Sequence, residues 1–221
     1  MAGASWKLGM TIARPIRPWR VVPVAAPLAG FAVLAWIVVT GGAADFDAHV
    51  RGVAHDLSSR TLTSAMLALT HLGSVAFVSV ICIGACAGFY WAGRRESAWL
   101  AAAAMAGSAV LENGLKLAFQ RARPEPFFGL VASETYSFPS GHALFSACLY
   151  GVIAWRLAAR AKAPATYSAI WGFALALIAT IGLSRVYLGV HYPSDVLGGW
   201  LVAATWLAAL GAIASVRDLH C

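Results

Sequence analysis

The sequence predicts an all-α integral membrane protein, a bundle of six transmembrane helices, and three observations support this fold class. Of the 221 residues, 60% are hydrophobic and only 11% are charged, whereas soluble domains carry about a quarter charged residues. Six apolar runs each approach the ~20 residues that a helix needs to cross a bilayer. Basic residues lie between these runs, as topology signals do, and not in one stripe suited to nucleic acid. The length fits a single domain over residues 1–221.

The first apolar run extends from about Val21 to Gly42 and follows a basic tail, residues 1–20, that contains no acidic residue. A cleavable signal peptide is the alternative interpretation, because residues 41–44 are small. The run is long enough to span a membrane, which favours a first transmembrane helix. We therefore expect the tail to lie on the cytoplasmic side.

Residues 43–61 are predicted to form an amphipathic segment on the outer membrane surface. Phe46, Val50, Val53 and Leu57 recur there at near-helical spacing among charged residues. The acidic and histidine side chains of this segment are interpreted as solvated surface groups and not as metal ligands: Asp45, Asp47, His49, His55 and Asp56.

The second span is predicted within residues 62–92 and the third over about residues 98–119. His71, near the start of the second span, is expected to be a packing residue. Glu112 and Lys116 lie one turn apart in the third span, where charged groups are costly and by default indicate function. Two interpretations are open for them: an ion pair that satisfies itself, or a carboxylate that holds Lys116 toward a pocket.

The remaining spans are predicted over about residues 142–157, 167–183 and 196–215. Six spans place both termini in the cytoplasm and predict a multi-pass protein of the inner membrane. Most of the sixteen lysines and arginines then fall on the cytoplasmic side. The exceptions on the outer side are Arg51, Arg60, Lys116, Arg121, Arg123 and Arg185.

Three segments on the predicted outer face concentrate polar residues that a purely structural bundle does not need: residues 116–124, 139–142 and 184–195. The topology follows from hydropathy and loop charge alone, so the shared face of these segments is an independent observation. Their basic residues Lys116, Arg123 and Arg185 are suited to neutralising phosphoryl oxygens. Arginine can bind such oxygens as a bidentate fork, and lysine as a point charge.

The middle segment, SFPSGHA at residues 137–143, is suited to holding an anion at the start of a helix. Pro139 ends the preceding segment, Ser140 is placed to cap the helix, and Gly141 lets the backbone approach an anion closely. His142 adds a proton donor at the same place. Taken alone, the pattern also fits a helix cap beside an interfacial histidine.

The last segment places His191 and Asp195 four residues apart at the start of the predicted sixth helix. Pro193 suits the first position of that helix, so Asp195 lies in the first turn, where the helix dipole favours a carboxylate. His191 can then act as a nucleophile while Asp195 holds its ring in the required tautomer. His142 remains available to protonate the leaving oxygen and later to activate water.

These segments resemble the three motifs of the type 2 phosphatidic acid phosphatase (PAP2) family, which are K-x6-R-P, P-S-G-H and S-R-x5-H-x3-D. Every motif position and every internal spacing matches, whereas residues 1–60 carry no family signature. The resemblance implies a PAP2/haloperoxidase-like helical core. The matching residues are Lys116, Arg123, Pro124, Pro139, Ser140, Gly141, His142, Ser184, Arg185, His191 and Asp195.

By resemblance, the chain is expected to be a lipid phosphatase that works through a phosphohistidine without a metal or cofactor. The implied roles are His191 as nucleophile, Asp195 as its orienting partner, and His142 as general acid and then base. The outer motifs contain no acidic cluster or histidine set typical of metal sites. Arg121 lies outside the motifs, and contact with a second phosphate or with a lipid headgroup is open. The implied phosphate-binding residues are Lys116, Arg123, Ser140, Gly141 and Arg185.

The expected partners are the bilayer and a lipid phosphate, not nucleic acid, with the headgroup site on the periplasmic or extracellular side. Undecaprenyl pyrophosphate is the first expected substrate, and phosphatidylglycerophosphate or phosphatidic acid is the alternative. A lipid-to-lipid phosphotransferase would use the same residues. The resemblance extends to vanadium haloperoxidases, against which the six predicted spans argue. A non-catalytic lipid-binding protein would not need both histidines and Asp195.

Overall fold

The computed structural model describes residues 22–131 and 133–217, which form eight α-helices and no strand. The basic residues of the tail, Lys7, Arg14, Arg17 and Arg20, lie outside the described residues. The helices are α1 (Val22–Val39), α2 (Ala44–Asp56), α3 (Arg60–His71), α4 (Val75–Trp91), α5 (Arg95–Phe119), α6 (Gly141–Ala158), α7 (Pro164–Tyr187) and α8 (Pro193–Arg217).

The second predicted span is not one straight helix, which corrects the sequence interpretation. It is divided into α3 and α4, which meet at an angle of 49°. The chain breaks at residues 72–74, where the Ser74 side chain accepts a hydrogen bond from the backbone of Phe77 and thereby caps α4. His71 is exposed at this break, so it is not the packing residue that was expected.

The count of six membrane spans remains a prediction. Among the described residues, α7 and α8 are each long and apolar enough to cross a membrane. Joining α3 with α4, and α1 with α2 across a 92° bend, raises the count to four. The other two predicted spans coincide with α5 and α6, and both helices carry polar site residues within their length, such as Lys116 and His142.

Helix α6 is the central helix of the bundle and packs against α4, α5, α7 and α8. Its side chains Leu144, Cys148, Leu149 and Val152 are fully buried. A helix that is apolar on every face is expected in such a position. Because α6 is central, its first turn lies between the ends of its neighbours, and this first turn carries Ser140, at the N-cap, and His142.

The segment that leads into α6 is fixed by aromatic packing. The Phe138 ring is fully buried and stacks on Phe31 of α1 at a centroid distance of 5.7 Å, and Phe119 meets it edge-on at 5.1 Å. Gly198 of α8 makes room for this ring, because a Cβ there would lie 2.7 Å from it. Such buried aromatic contacts hold the backbone before Ser140 against three helices.

Candidate active site

The predicted site residues lie at one end of the bundle, where α5 and α7 end and α6 and α8 begin. Lys116 is in the last turn of α5, and Arg185 is in the last turn of α7. His191 lies in the short link between α7 and α8. The other members are Arg123, Ser140, Gly141, His142 and Asp195.

The buried His191 ring is held between a carboxylate and a guanidinium. Its Nδ1 lies 3.3 Å from Asp195 Oδ2, and its Nε2 lies 3.1 Å from Arg123 Nη1. A guanidinium can only donate hydrogen bonds, so Nε2 must accept and the ring proton must reside on Nδ1. The contacts therefore favour the tautomer in which Nε2 carries the lone pair, the form in which an imidazole can act as a nucleophile.

Asp195 is held by donors on both of its oxygens. Oδ2 accepts hydrogen bonds from the Ser137 hydroxyl and from the Tyr192 backbone amide, in addition to its contact with His191. Oδ1 accepts a hydrogen bond from Arg121 Nη1 at 2.6 Å. A fully buried carboxylate with this number of partners has one orientation, and it transmits that orientation to His191.

Burial governs the protonation of His191. It lowers the pKa of His191 to about 4, although the hydrogen bond and charge of Asp195 act in the opposite direction. The charges of Arg123 and Arg185 lower this pKa further. His191 is therefore neutral near pH 7, as a nucleophilic imidazole must be.

Arg123 and Arg185 are two cations that form no salt bridge among the described residues, where the nearby carboxylates pair with Lys116, Arg121 and His191. Arg185 acts on Arg123 as a like charge, and burial lowers the pKa of the Arg123 guanidinium more than Asp195 and Glu112 raise it. Arg123 is fixed by hydrogen bonds from Nε and Nη2 to the Thr135 carbonyl and hydroxyl. Partly buried cations that form no salt bridge are suited to binding an anion.

Two polar groups of this region have no hydrogen-bond partner among the described residues. They are the Ser140 hydroxyl and Nε of Arg185. Ser140 occupies the N-cap position of α6 as predicted, yet its hydroxyl does not cap the helix, which corrects that expectation. Because buried polar groups are almost always paired, these two groups fit a bound anion.

Lys116 is 8% exposed and pairs with Glu112 of the same helix at 2.5 Å. The pair lies against the start of α6, because a Cβ on Gly141 would approach Glu112 Oε1 to 2.8 Å. Of the two interpretations, this position agrees with a carboxylate that holds Lys116 beside the predicted phosphate-binding residues. The absence of a side chain at Gly141 is what allows the close approach.

His142 lies close enough to Arg185, Arg123 and Lys116 for their positive charges to act on it. Its ring packs against the break between α3 and α4, where a Cβ on Gly73 would lie 3.3 Å from Cδ2. Thr70, at the end of α3, accepts a hydrogen bond from Arg185 Nη1 at 2.7 Å. The break between α3 and α4 thus contributes contacts to the site.

Sequence reasoning missed the roles of Arg121 and Asp47. Arg121 donates to Asp195 and also to Asp47 of α2, so it is part of the protein's own ion-pair network. Burial lowers the pKa of Arg121, but these two carboxylates raise it more. Asp47 is 1% exposed, which corrects its interpretation as a surface residue, whereas Asp45 is exposed as expected.

The other histidine and acidic residues of α2 are not grouped as metal ligands in the described part of the chain. Within residues 22–131 and 133–217, no three histidine, cysteine, aspartate or glutamate side chains are arranged to hold a metal ion. His55 instead packs against the Phe127 ring at 4.5 Å. A cavity of about 540 Å³ lies at the opposite ends of α6 and α8, beside Trp155 and Gly211, and touches none of the predicted site residues.

The helical fold and the three motifs together define a membrane phosphatase of the PAP2 type. The PAP2 superfamily matches residues 97–217, more than half of the chain, and the chain belongs to this superfamily. The family predicted from the motifs is therefore confirmed, and the class of enzyme it implies, lipid phosphatase, agrees with the names of the relatives.

Two curated relatives and one solved structure illustrate the similarity. Phosphatidylglycerophosphatase B of Bacillus subtilis is 32% identical over 171 residues, 77% of this chain and 84% of that protein. An undecaprenyl-diphosphatase of Sulfolobus acidocaldarius is 38% identical over 77 residues, 34% of this chain and 32% of that protein. The crystal structure of a transmembrane PAP2-type phosphatidylglycerolphosphate phosphatase from Bacillus subtilis has a TM-score of 0.80 at 28% identity, covering 88% of this chain and 96% of that chain.

Proposed function

We propose that this protein hydrolyses a lipid phosphate or pyrophosphate through a covalent phosphohistidine at His191, without a metal ion. The observation that carries the proposal is the surroundings of His191. Its Nε2 faces Arg123, and nearby Arg185 Nε and the Ser140 hydroxyl have no hydrogen-bond partner among the described residues. A phosphoryl group bound there would receive donors from each of these side chains.

In the first step, His191 Nε2 attacks the phosphorus atom and forms a P–N bond, while the bond from phosphorus to the leaving oxygen breaks. Arg123 Nη1 moves from Nε2 to a phosphoryl oxygen, which frees the attacking lone pair. His142 donates a proton to the leaving oxygen, so the lipid departs as an alcohol or as a lipid monophosphate. Asp195 stabilises the positive charge that develops on His191.

In the second step, His142 accepts a proton from water, and the water oxygen attacks phosphorus. The P–N bond breaks, its electrons return to Nε2, and inorganic phosphate leaves. Throughout, Lys116, Arg123 and Arg185 offset the negative charge on the equatorial oxygens, and Ser140 and the first amides of α6 add hydrogen bonds. The cations are suited to this role because charge stabilisation dominates catalysis of phosphoryl transfer.

For the substrate, we propose undecaprenyl pyrophosphate first and phosphatidylglycerophosphate or phosphatidic acid as the alternative. The basic site fits one or two phosphates, and the undecaprenyl-diphosphatase of Sulfolobus acidocaldarius supports the first choice. The Bacillus relative supports the alternative over a larger share of the chain. We further propose that the site faces the periplasmic or extracellular side of the inner membrane, since Lys116, Arg123 and Arg185 depart together from the positive-inside pattern.

The test is phosphate release by the purified protein in detergent with EDTA present. The panel contains undecaprenyl pyrophosphate, phosphatidylglycerophosphate, phosphatidic acid and a soluble phosphomonoester, and His191→Ala is the control. We expect the wild-type protein to release phosphate from at least one lipid and His191→Ala to release none. The lipid that is hydrolysed fastest identifies the substrate. Normal turnover by His191→Ala would overturn the nucleophile assignment, and transfer of label from donor lipid to another lipid without free phosphate would indicate a phosphotransferase.

A further inference from the structure

We propose that Asp47 of α2 is a positioning residue for the His191–Asp195 pair and that it acts through Arg121. This inference rests on the proposed function, because it concerns the orientation of the proposed nucleophile. Asp47 lies outside residues 97–217, the part matched by the PAP2 superfamily, and 144 residues before His191 in the chain.

Asp47 is a buried carboxylate whose partners all belong to the catalytic end of the bundle. Its Oδ1 accepts a hydrogen bond from the Ser194 backbone amide at 2.9 Å. Its Oδ2 accepts hydrogen bonds from the Ser194 hydroxyl at 2.6 Å and from Arg121 Nη2 at 2.7 Å. Asp47 thus binds the residue directly before Asp195 as well as the guanidinium that contacts Asp195.

Arg121 joins the two carboxylates through the two terminal nitrogens of its guanidinium. Its Nη2 contacts Asp47, and its Nη1 contacts both Asp195 Oδ1 at 2.6 Å and the Ser194 hydroxyl at 2.7 Å. The Tyr192 ring lies 4.1 Å from the guanidinium carbon and supports one of its faces. Because a guanidinium is rigid and planar, fixing one nitrogen on Asp47 fixes the other on Asp195.

A second contact attaches α2 to the same region. Arg51, one turn after Asp47, donates from Nη2 to the Glu125 and Gly189 carbonyls at 2.8 and 3.3 Å. These carbonyls lie in the loop after α5 and in the link before α8. Helix α2 therefore holds both segments that carry the proposed phosphate-binding Arg123 and the nucleophile His191.

The charges explain why Asp47 should affect the rate and not only the fold. With Asp47 present, the charge of Arg121 is shared by two carboxylates, and Asp195 keeps net negative character toward His191. Without Asp47, Arg121 neutralises Asp195 alone, so the imidazolium character that develops on His191 during attack is less stabilised. Lys116 pairs with Glu112 and Arg185 donates to Thr70, so their positions do not depend on a bond to Asp47 and phosphate binding should persist.

The test compares Asp47→Asn with Asp45→Asn, the same change at an exposed position of the same helix. We expect Asp47→Asn to lower kcat on the order of tenfold, similar to the loss of a hydrogen-bond partner that orients a ligand at metal sites. The KM for the lipid and the dissociation constant of vanadate, a phosphate mimic, should remain at wild-type values. Asp45→Asn should match wild type in every measurement.

Asp47→Glu is the second variant, because it keeps the charge but displaces it by one methylene from Ser194. We expect an intermediate kcat with unchanged vanadate binding, and this variant decides the question if Asp47→Asn does not fold. Wild-type kcat in both variants, or equal losses of kcat and vanadate affinity, would overturn the positioning role. A wild-type protein that releases no phosphate from any lipid would instead overturn the proposed function.

Discussion

The substitution Ser140→Ala separates stability from phosphate binding, because the Ser140 hydroxyl is buried and has no protein partner among the described residues. A buried hydroxyl without a hydrogen bond costs about 1–3 kcal/mol of folding free energy. The alanine variant loses that cost and leaves a space of only one oxygen atom. We therefore expect Ser140→Ala to be as stable as wild type or more stable by about 1 kcal/mol, a rise in Tm of roughly 2–4 °C.

The same hydroxyl is proposed to donate to a bound phosphoryl oxygen. A hydrogen bond to a charged group contributes about 1.5–3 kcal/mol. Its loss should weaken binding of vanadate and orthophosphate on the order of 10- to 100-fold, since each 1.4 kcal/mol is about tenfold. Ser140→Ala is thus expected to preserve or raise the stability of the ligand-free protein and to lower its affinity for vanadate and orthophosphate.

The assay is thermal unfolding of the detergent-solubilised protein without ligand, followed by vanadate titration. Ser146→Ala is the matched control, because Ser146 is also buried in α6 but donates to the Ala143 carbonyl. That variant should lose stability and keep vanadate affinity. A Ser140→Ala variant that is less stable than wild type and binds vanadate equally well would refute the assignment of Ser140 to the anion site.

Four further predictions follow from the same site. Asp195→Asn should lower kcat by roughly 10²–10⁴-fold, because an amide can favour the wrong His191 tautomer; a wild-type rate would exclude the orienting role. Burial lowers the pKa of His191 to about 4 in the folded protein, whereas a histidine in the unfolded chain has a pKa of about 6.5. The unfolded state therefore binds an additional proton at His191 between these values, and the free energy of unfolding should decrease as the pH falls from about 6.5 toward 4. The free energy of unfolding of His191→Gln should lack this decrease over the same pH range. A variant with the same pH dependence of stability as wild type would contradict the lowered pKa of His191. Gly189→Ala should cost about 1–3 kcal/mol of stability, because φ is 74° and the Cβ would lie 2.7 Å from the Phe127 backbone nitrogen. Gly84→Ala, in open space, is its control, and equal Tm values for the two would refute the strain. EDTA should leave phosphate release unchanged, and inhibition that Mg²⁺ reverses would contradict a metal-free reaction.

The parts of the site that local sequence specifies were predictable. Pro193 does begin α8, Asp195 does lie in its first turn, and Ser140 does occupy the N-cap position of α6. These outcomes depend on backbone rules that act over a few residues. The family follows from the spacing of motif residues, and the superfamily match confirms it.

The contacts that depend on tertiary packing were not predictable from the sequence. The spacing of Phe46 and Val50 correctly indicates an amphipathic helix, but periodicity does not reveal that the polar side of α2 also meets a partner. Arg121 and Asp47 are 74 residues apart, and no local pattern relates them. Likewise, the Ser140 hydroxyl has no partner among the described residues, and only three-dimensional geometry distinguishes it from a capping serine, since both have the same sequence context.

The position of Asp47 bears on which fragment of the chain is expected to be catalytically active without the rest. A fragment of residues 97–217 would contain every motif residue, α6 to α8 and all of α5 except its first two residues. It would also leave Arg121 with one carboxylate instead of two and would uncover the face of Phe138 that Phe31 covers. The smallest autonomous catalytic unit should therefore begin before α1, because the helices at the start of the chain complete the site that the motifs define.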